Sequence, residues 1–149
     1  MIGIGSDHVG FELKEEIKKF LKEKGINYKD YGCYSPERTD YPIYAEKVAK
    51  AIISGECEKG ILICGTGIGM SIAANKFKGI RAAVCSDCYS AKMSRLHNNA
   101  NILALGSRVV GLELAKTIVE VWLYSEYEGG RHQKRLDLIS QFESSIQQS

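Results

Sequence analysis

Cys64 stands at the mouth of a glycine loop. The stretch GILICGTGIGMSIAANK, residues 60–76, carries an apolar segment, Ile61-Leu62-Ile63, into the thiol. Glycines then follow at 65, 67 and 69, and a helical pattern begins near Ile68. Glycine lets backbone N–H groups crowd toward a ligand, and a helix N-terminus adds partial positive charge. Such a loop holds a phosphate or stabilises an oxyanion that forms during reaction. A thiol beside the same N-terminus is expected to yield its thiolate near neutrality, which makes Cys64 a candidate base. The plainer role, a buried strand-end cysteine, is the commoner one for this residue type. Position argues for chemistry: Cys33, Cys57, Cys85 and Cys88 lack a glycine loop behind them.

Two other readings compete for the same residues. Gly65 and Gly67 open a G-x-G-x-x-G dinucleotide fingerprint, and Asp87 lies where a ribose-binding acid belongs, but position 70 is Met. A P-loop fails because no Gly-Lys-Ser/Thr follows. Cys85-Ser-Asp-Cys88 has the spacing of a redox pair or of half a zinc site, yet no second cysteine pair accompanies it.

These residues need a frame, and the pattern supplies one. Short apolar runs at 1–5, 27–31, 61–64, 81–85 and 102–105 alternate with helical segments. Val9, Leu13, Ile17 and Leu21 recur every four residues before Gly25, and Pro42 fits the first turn of the next helix. Further helices are expected from Ile68, after Asp87, after Gly111, and over 132–146. Alternation of this kind predicts an α/β fold: a single-domain, doubly wound (Rossmann-like) five-stranded parallel sheet over residues 1–149, an α/β/α sandwich with helices on both faces and a C-terminal helix besides. Ligands of such sheets bind beyond the carboxyl ends of the strands. The residues there are Ser6-Asp7-His8, Cys64-Gly65-Thr66, Ser86-Asp87 and Gly106-Ser107-Arg108.

Composition narrows the partners. The 149 residues are 44% hydrophobic and 26% charged, ordinary for a globular domain. A net charge of +2 gives no argument for nucleic acid or an anionic membrane. The apolar runs are far shorter than a membrane span, and MIGIGSDH does not read as a signal peptide. Five cysteines, an odd number, are expected to be reduced thiols in the cytoplasm.

Three segments go beyond pattern. GSDHVGFELK, DYGCYSPERTDYP and ILICGTGIGMSIAANKFKGIRAAVCSDCYSAKMSRLHNNANILALGSRVVG, with the tail YEGGRHQKR, resemble the ribose-5-phosphate isomerase B family, which also includes galactose- and allose-6-phosphate isomerases. The resemblance covers nearly the whole chain. It implies aldose–ketose isomerisation through a cis-enediolate, with no metal or organic cofactor. Cys64 matches the proton-carrying base of the family's cysteine-type branch, and the amides of Gly65, Thr66, Gly67, Ile68 and Gly69 the anion hole. His97 and Asp7, with Thr66 nearby, match the groups that open the sugar ring; taken alone, Asp7 reads equally as an N-cap and His97 as a helix C-terminal residue. Tyr41 and Asn98 match contacts to sugar hydroxyls. His8 and Arg108 match phosphate contacts, joined by Arg131 and Arg135, which four-residue spacing puts on one helical face. Pentose phosphate is the expected substrate, with allose 6-phosphate as a side activity; hexose 6-phosphate, or a nucleotide, is the alternative.

Assembly enters twice. The resemblance implies a homodimer or tetramer whose active sites draw on two chains, with Cys64 and the two arginines from different subunits. Separately, the helix after Gly111 has polar residues chiefly at 113, 116, 117 and 120, leaving an apolar arc too wide for one sheet face. Part of that arc is expected to meet another subunit.

Overall fold

Strand β1 (Ile2–Ser6) reads Ile-Gly-Ile-Gly-Ser and is buried along its whole length. The alternation has a steric purpose. Isoleucines face one layer of helices, while the glycines let the opposite layer approach the sheet. In β3 (Lys59–Cys64) Gly60 serves likewise: a Cβ there would stand 2.5 Å from Val48 Cγ1. The helix bearing Val48 therefore rests on bare backbone.

A computed structural model describes residues 1–148, with side chains through Ser145. The remaining strands are β2 (Tyr28–Asp30), β4 (Ala82–Val84) and β5 (Ile102–Gly106). The helices are α1 (Phe11–Glu23), α2 (Tyr41–Ile53), α3 (Ile68–Ala74), α4 (Cys88–Leu96), α5 (Leu112–Tyr124) and α6 (Arg131–Gln148). The five strands form one parallel sheet in the order β2-β1-β3-β5-β4. It is the doubly wound, Rossmann-like α/β sandwich expected, with a C-terminal helix besides. The chain leaves β1 toward β2 and returns on the other side at β3, so β1 and β3 flank the switch point. Register places Ser6 beside Ile63 and Cys64 beside Gly106.

Two cores result. Ile4, Ile61, Ile63, Leu103 and Leu105 pack with α1, α4 and α5 on one face. Leu62, Cys64, Ile102 and Ala104 pack with α2 and α3 on the other. Helix α1 begins at Phe11, after Gly10 as N-cap, so Val9 lies in the turn before it. Lys14 is wholly buried and satisfied: its Nζ donates to both Asp30 carboxylate oxygens at 2.7 Å and to the Cys33 carbonyl at 2.6 Å.

The expectation of a second subunit at α5 weakens once its neighbours are seen. That helix lies between α1 and α4 on its sheet face, and its wide apolar arc is divided among these neighbours. Ala115, Ile118, Val119 and Trp122 are fully buried, while Leu114 in the first turn and Tyr124 at the end are exposed. A helix central to its layer has three surfaces to cover within its own chain, so the arc demands no second subunit. Exposed apolar residues gather also on α3 (Ile68, Ile72) and on α6 (Leu138, Ile139, Phe142). Among the described residues, no helix is long and apolar enough to cross a membrane.

Candidate active site

Cys64 ends β3 with its side chain on the α2/α3 face, in register with Leu62, and is 5% exposed. The chain then turns sharply enough that the Gly67 N–H donates to Cys64 Sγ at 3.2 Å. Gly67 sits at φ +81, and a Cβ there would meet Val84 Cγ2 at 2.8 Å and the Leu105 backbone at 3.0 Å. Both conformation and space require glycine. The tail of β5 holds the loop from the other side. Ser107 N–H donates to the Cys64 carbonyl at 2.8 Å, and Arg108 N–H to that of Gly65 at 3.0 Å. Gly106 makes this approach feasible, since a Cβ there would lie 2.6 Å from the Thr66 carbonyl oxygen. Ile68 N–H donates to Thr66 Oγ1 at 3.2 Å, so two of the five amides expected to form an anion hole are engaged inside the loop.

Other rim residues gather around this loop. Asp7 is buried, and its Oδ1 accepts the Gly10 N–H at 3.0 Å, shaping the turn into α1. His8 Nδ1 lies 3.2 Å from both the N–H and the carbonyl of Thr39, which anchors the ring to the 33–40 loop. The Tyr41 ring covers Gly69, where a Cβ would come within 2.6 Å of it. Arg108 Nη1 lies 3.9 Å from the Cβ position of Gly65. Beside it opens a cavity of about 610 Å³ lined by His8, Val9, Ser107 and Arg108, with Glu12 and Glu16 on its α1 side.

The remaining expected site residues lie elsewhere. Helix α4 runs back along the sheet, and His97 caps its carboxyl end, five residues before β5 starts. Asn98 follows, exposed. Glu128 N–H donates to the Leu96 carbonyl at 3.0 Å, which brings the start of α6, with exposed Arg131 and Arg135, to the same place. That place is the amino end of the sheet. Cys64 is at the other end of a six-residue strand, about 17 Å away at about 3.3 Å per residue. One chain therefore unites Asp7, His8, Tyr41, Cys64, the 65–69 loop and Arg108, and keeps His97, Asn98, Arg131 and Arg135 apart from them.

Sequence reasoning missed His132. It is 6% exposed, and its ring stacks on His97 with centroids 4.2 Å apart and planes 17° apart. Burial lowers its pKa, and the positive charges of Arg131 and Arg135, with His97, add to the effect against Glu128. No periodic signal could mark it, because it is the inward residue of an otherwise polar helical turn. Glu128, His97 and His132 bring metal-type donor atoms within 4.8 Å of one another. Stacked imidazoles, however, point their in-plane lone pairs side by side, and cannot both reach one ion at about 2.0–2.1 Å.

The competing motifs take structural roles. Asp87 caps α4, its Oδ1 accepting the Ser90 N–H at 2.6 Å. Burial, with the nearby charge of Asp87, pushes the Cys85 thiol up to about 11, opposite to what a redox pair requires. All five cysteines are free.

Comparison with known proteins places the chain. The ribose/galactose isomerase profile matches residues 2–139. Ribose-5-phosphate isomerase B of Escherichia coli (strain K12) is 62% identical over 142 residues, 95% of each chain. The solved ribose-5-phosphate isomerase B of Clostridium thermocellum superposes with a TM-score of 0.96 at 58% identity, covering 97% of this chain and 98% of that one. The Mycoplasma genitalium ribose-5-phosphate isomerase B, solved with bound ribulose-5-phosphate, gives 0.91 at 43% identity, over 96% and 95%. The chain belongs to the ribose/galactose isomerase family.

Proposed function

We propose that this chain interconverts ribose 5-phosphate and ribulose 5-phosphate, working as a homodimer whose two sites each take residues from both chains. The observation that carries the reading is the thiol of Cys64 set against an amide-lined loop, with His8 and Arg108 alongside. In the aldose, Cys64 as thiolate takes the proton from C2, and the electron pair forms the C1–C2 double bond of the enediolate. Backbone amides of the 65–69 loop stabilise the negative oxygen. Returning the proton to C1, while the O2 hydrogen passes to O1 so that O2 becomes the carbonyl and O1 a hydroxyl, completes the ketose. Every atom is conserved, so the reaction consumes no co-substrate.

Ring opening precedes this step. The ring oxygen must gain a proton and the anomeric hydroxyl must lose one, which is work for two groups on opposite sides of the sugar. Asp7 lies on the Cys64 side, with Thr66, and His97 comes from the second chain. Tyr41 from one chain and Asn98 from the other contact the sugar hydroxyls. His8 and Arg108 face the phosphate from the carboxyl rim; Arg131 and Arg135 close on it from the partner, as guanidinium pairs suit phosphate.

Two apolar surfaces support this assembly. Ile68 and Ile72 lie exposed beside the carboxyl rim, with Ile43 and Val84 also exposed on that side of the fold. Near Asn98, Ile80, Leu136, Ile139 and Phe142 line an apolar groove of about 360 Å³. Each surface adjoins one half of the site, and a two-fold axis that joins them completes both sites at once. The five unpaired thiols fit a reducing compartment, the cytoplasm.

The test is conversion of ribose 5-phosphate to ribulose 5-phosphate by native protein and Cys64→Ala. Native turnover that falls by about 10²–10⁴-fold in the variant is expected for loss of a general base. No native turnover defeats the substrate assignment, and a variant at native rate defeats the role of Cys64.

A further inference from the structure

We infer that His132 is a positioning residue for His97, holding the plane of that imidazole and fixing it to the helix that carries Arg131 and Arg135. The inference rests on the ring-opening role of His97 proposed above and adds a residue which that role does not include.

His132 is out of place as a merely structural residue. It is the buried member of the turn Arg131–Arg135, whose other side chains are exposed. Its Nε2 has no hydrogen-bond partner, and the Glu128 carboxylate, at 3.5 Å, is too distant to serve as one. A buried nitrogen left unpaired costs stability, so the polar atom does not explain why the ring is there. What the ring does offer is a flat face against His97, 4.2 Å away and 17° from parallel.

Both rings stand on fixed backbone. His97 N–H donates to the Met93 carbonyl at 2.9 Å, closing α4. Across the gap, Glu128 N–H reaches the Leu96 carbonyl at 3.0 Å and Arg95 Nε the Ser125 carbonyl at 3.3 Å. The stack is the side-chain counterpart of those bonds. It sets the direction in which His97 presents its proton, relative to the arginines on either side of His132. Proton transfer needs such orientation within about 10–20°, and misplacement by about 1 Å costs roughly 10²-fold in rate. Burial and the surrounding cations also disfavour the charged form of His132. With His132 neutral, a proton on His97 meets no like charge in the ring beneath it.

A double-mutant cycle tests this, read as kcat and KM for ribose 5-phosphate. His132→Ala is expected to lose about 10- to 100-fold in kcat with KM within about threefold. His132→Phe, which keeps a flat ring, is expected to stay within about threefold of native kcat. In a His97→Asn background, His132→Ala should cost nothing further, since no imidazole remains to be oriented. Equal losses in both backgrounds, native kcat in His132→Ala, or a Phe variant as impaired as Ala would each overturn the inference. Should His132→Ala fail to fold, His132→Leu against His132→Phe makes the same comparison at similar volume, with Leu expected to lose kcat. Native turnover in His97→Asn alone would instead overturn the ring-opening role, and this inference with it.

Discussion

The separation between the two groups of site residues allows a quantitative test by mixing. Cys64→Ala removes the proposed base from the carboxyl rim, and His97→Asn removes the imidazole from the amino end. Each homodimer then has both sites broken. A mixed dimer is different if sites are shared. One of its sites collects both substitutions, while the other pairs the native rim of the His97→Asn chain with the native His97 of the Cys64→Ala chain. Random exchange at equal amounts makes about half the dimers mixed, each with one native site of two, so about a quarter of native activity should return. Mixed dimers isolated through two different affinity tags should reach about a half. The proposed shared site gives this outcome because about 17 Å of sheet lies between the groups within one chain. The assay is ribulose 5-phosphate formation before and after co-refolding. Mixing Cys64→Ala with Asp7→Asn, both on the same rim, should restore nothing. Recovery in that control, or none in the first mixture, would refute the shared site.

Further outcomes follow from individual contacts. Gly106→Ala places a methyl 2.6 Å from the Thr66 carbonyl oxygen, a backbone atom that cannot swing aside. It should cost about 1–3 kcal/mol in a denaturant titration and, by displacing the anion-hole loop, more than about tenfold in kcat; native kcat would refute the role given to that contact. Lys14→Met leaves Asp30 half-buried with Lys18 as its remaining ion pair, at 2.8 Å, and should destabilise by about 3 kcal/mol. Burial raises the Asp30 pKa, but hydrogen bonds from Lys14, Lys18 and the Gly32 N–H outweigh it and hold the carboxyl below its ordinary 3.8. The stability this contributes is therefore present above about pH 4 and lost as pH falls below it, so the deficit of Lys14→Met should shrink in acid. Cys85, with its thiol pushed up to about 11, should resist iodoacetamide in the folded protein near neutral pH and react once the chain is unfolded.

Pattern alone located most of the frame. Each apolar run became a strand within about two residues of its expected ends, and the carboxyl-end rule pointed to Asp7, His8, Cys64 and Arg108 before any contact was known. It also pointed to Asp87, which is taken up in capping its own helix. Strand order was not legible: β5 lies between β3 and β4, yet Ile-Leu-Ala-Leu reads the same whichever neighbours it has. His97, Asn98 and the arginines lie at the amino end, outside the reach of that rule, and resemblance alone singled them out. The width of the α5 arc was legible but its neighbours were not, since periodicity cannot tell a helix of the same chain from one of another. Much of the arc packs against α1 and α4. His132 had no signal of its own. Its meaning comes from a contact between residues 35 positions apart.

The sheet order also has a consequence for synthesis. β3 pairs with β1 as soon as residue 64 is available, but its other edge waits for β5, made after β4 and inserted between the two. A nascent chain ending before residue 102 therefore carries Lys-Gly-Ile-Leu-Ile-Cys as an unpaired apolar edge, the kind that recruits other strands. Closing that edge is the same event that brings Ser107 and Arg108 onto the loop behind Cys64. Chains truncated at 101 should aggregate where those extended through β5 and α5 do not; if both stay equally dispersed, the open edge is harmless. The strand that closes the sheet edge and the bonds that hold the proposed anion-hole loop arrive with the same ten residues of polypeptide, 102–111.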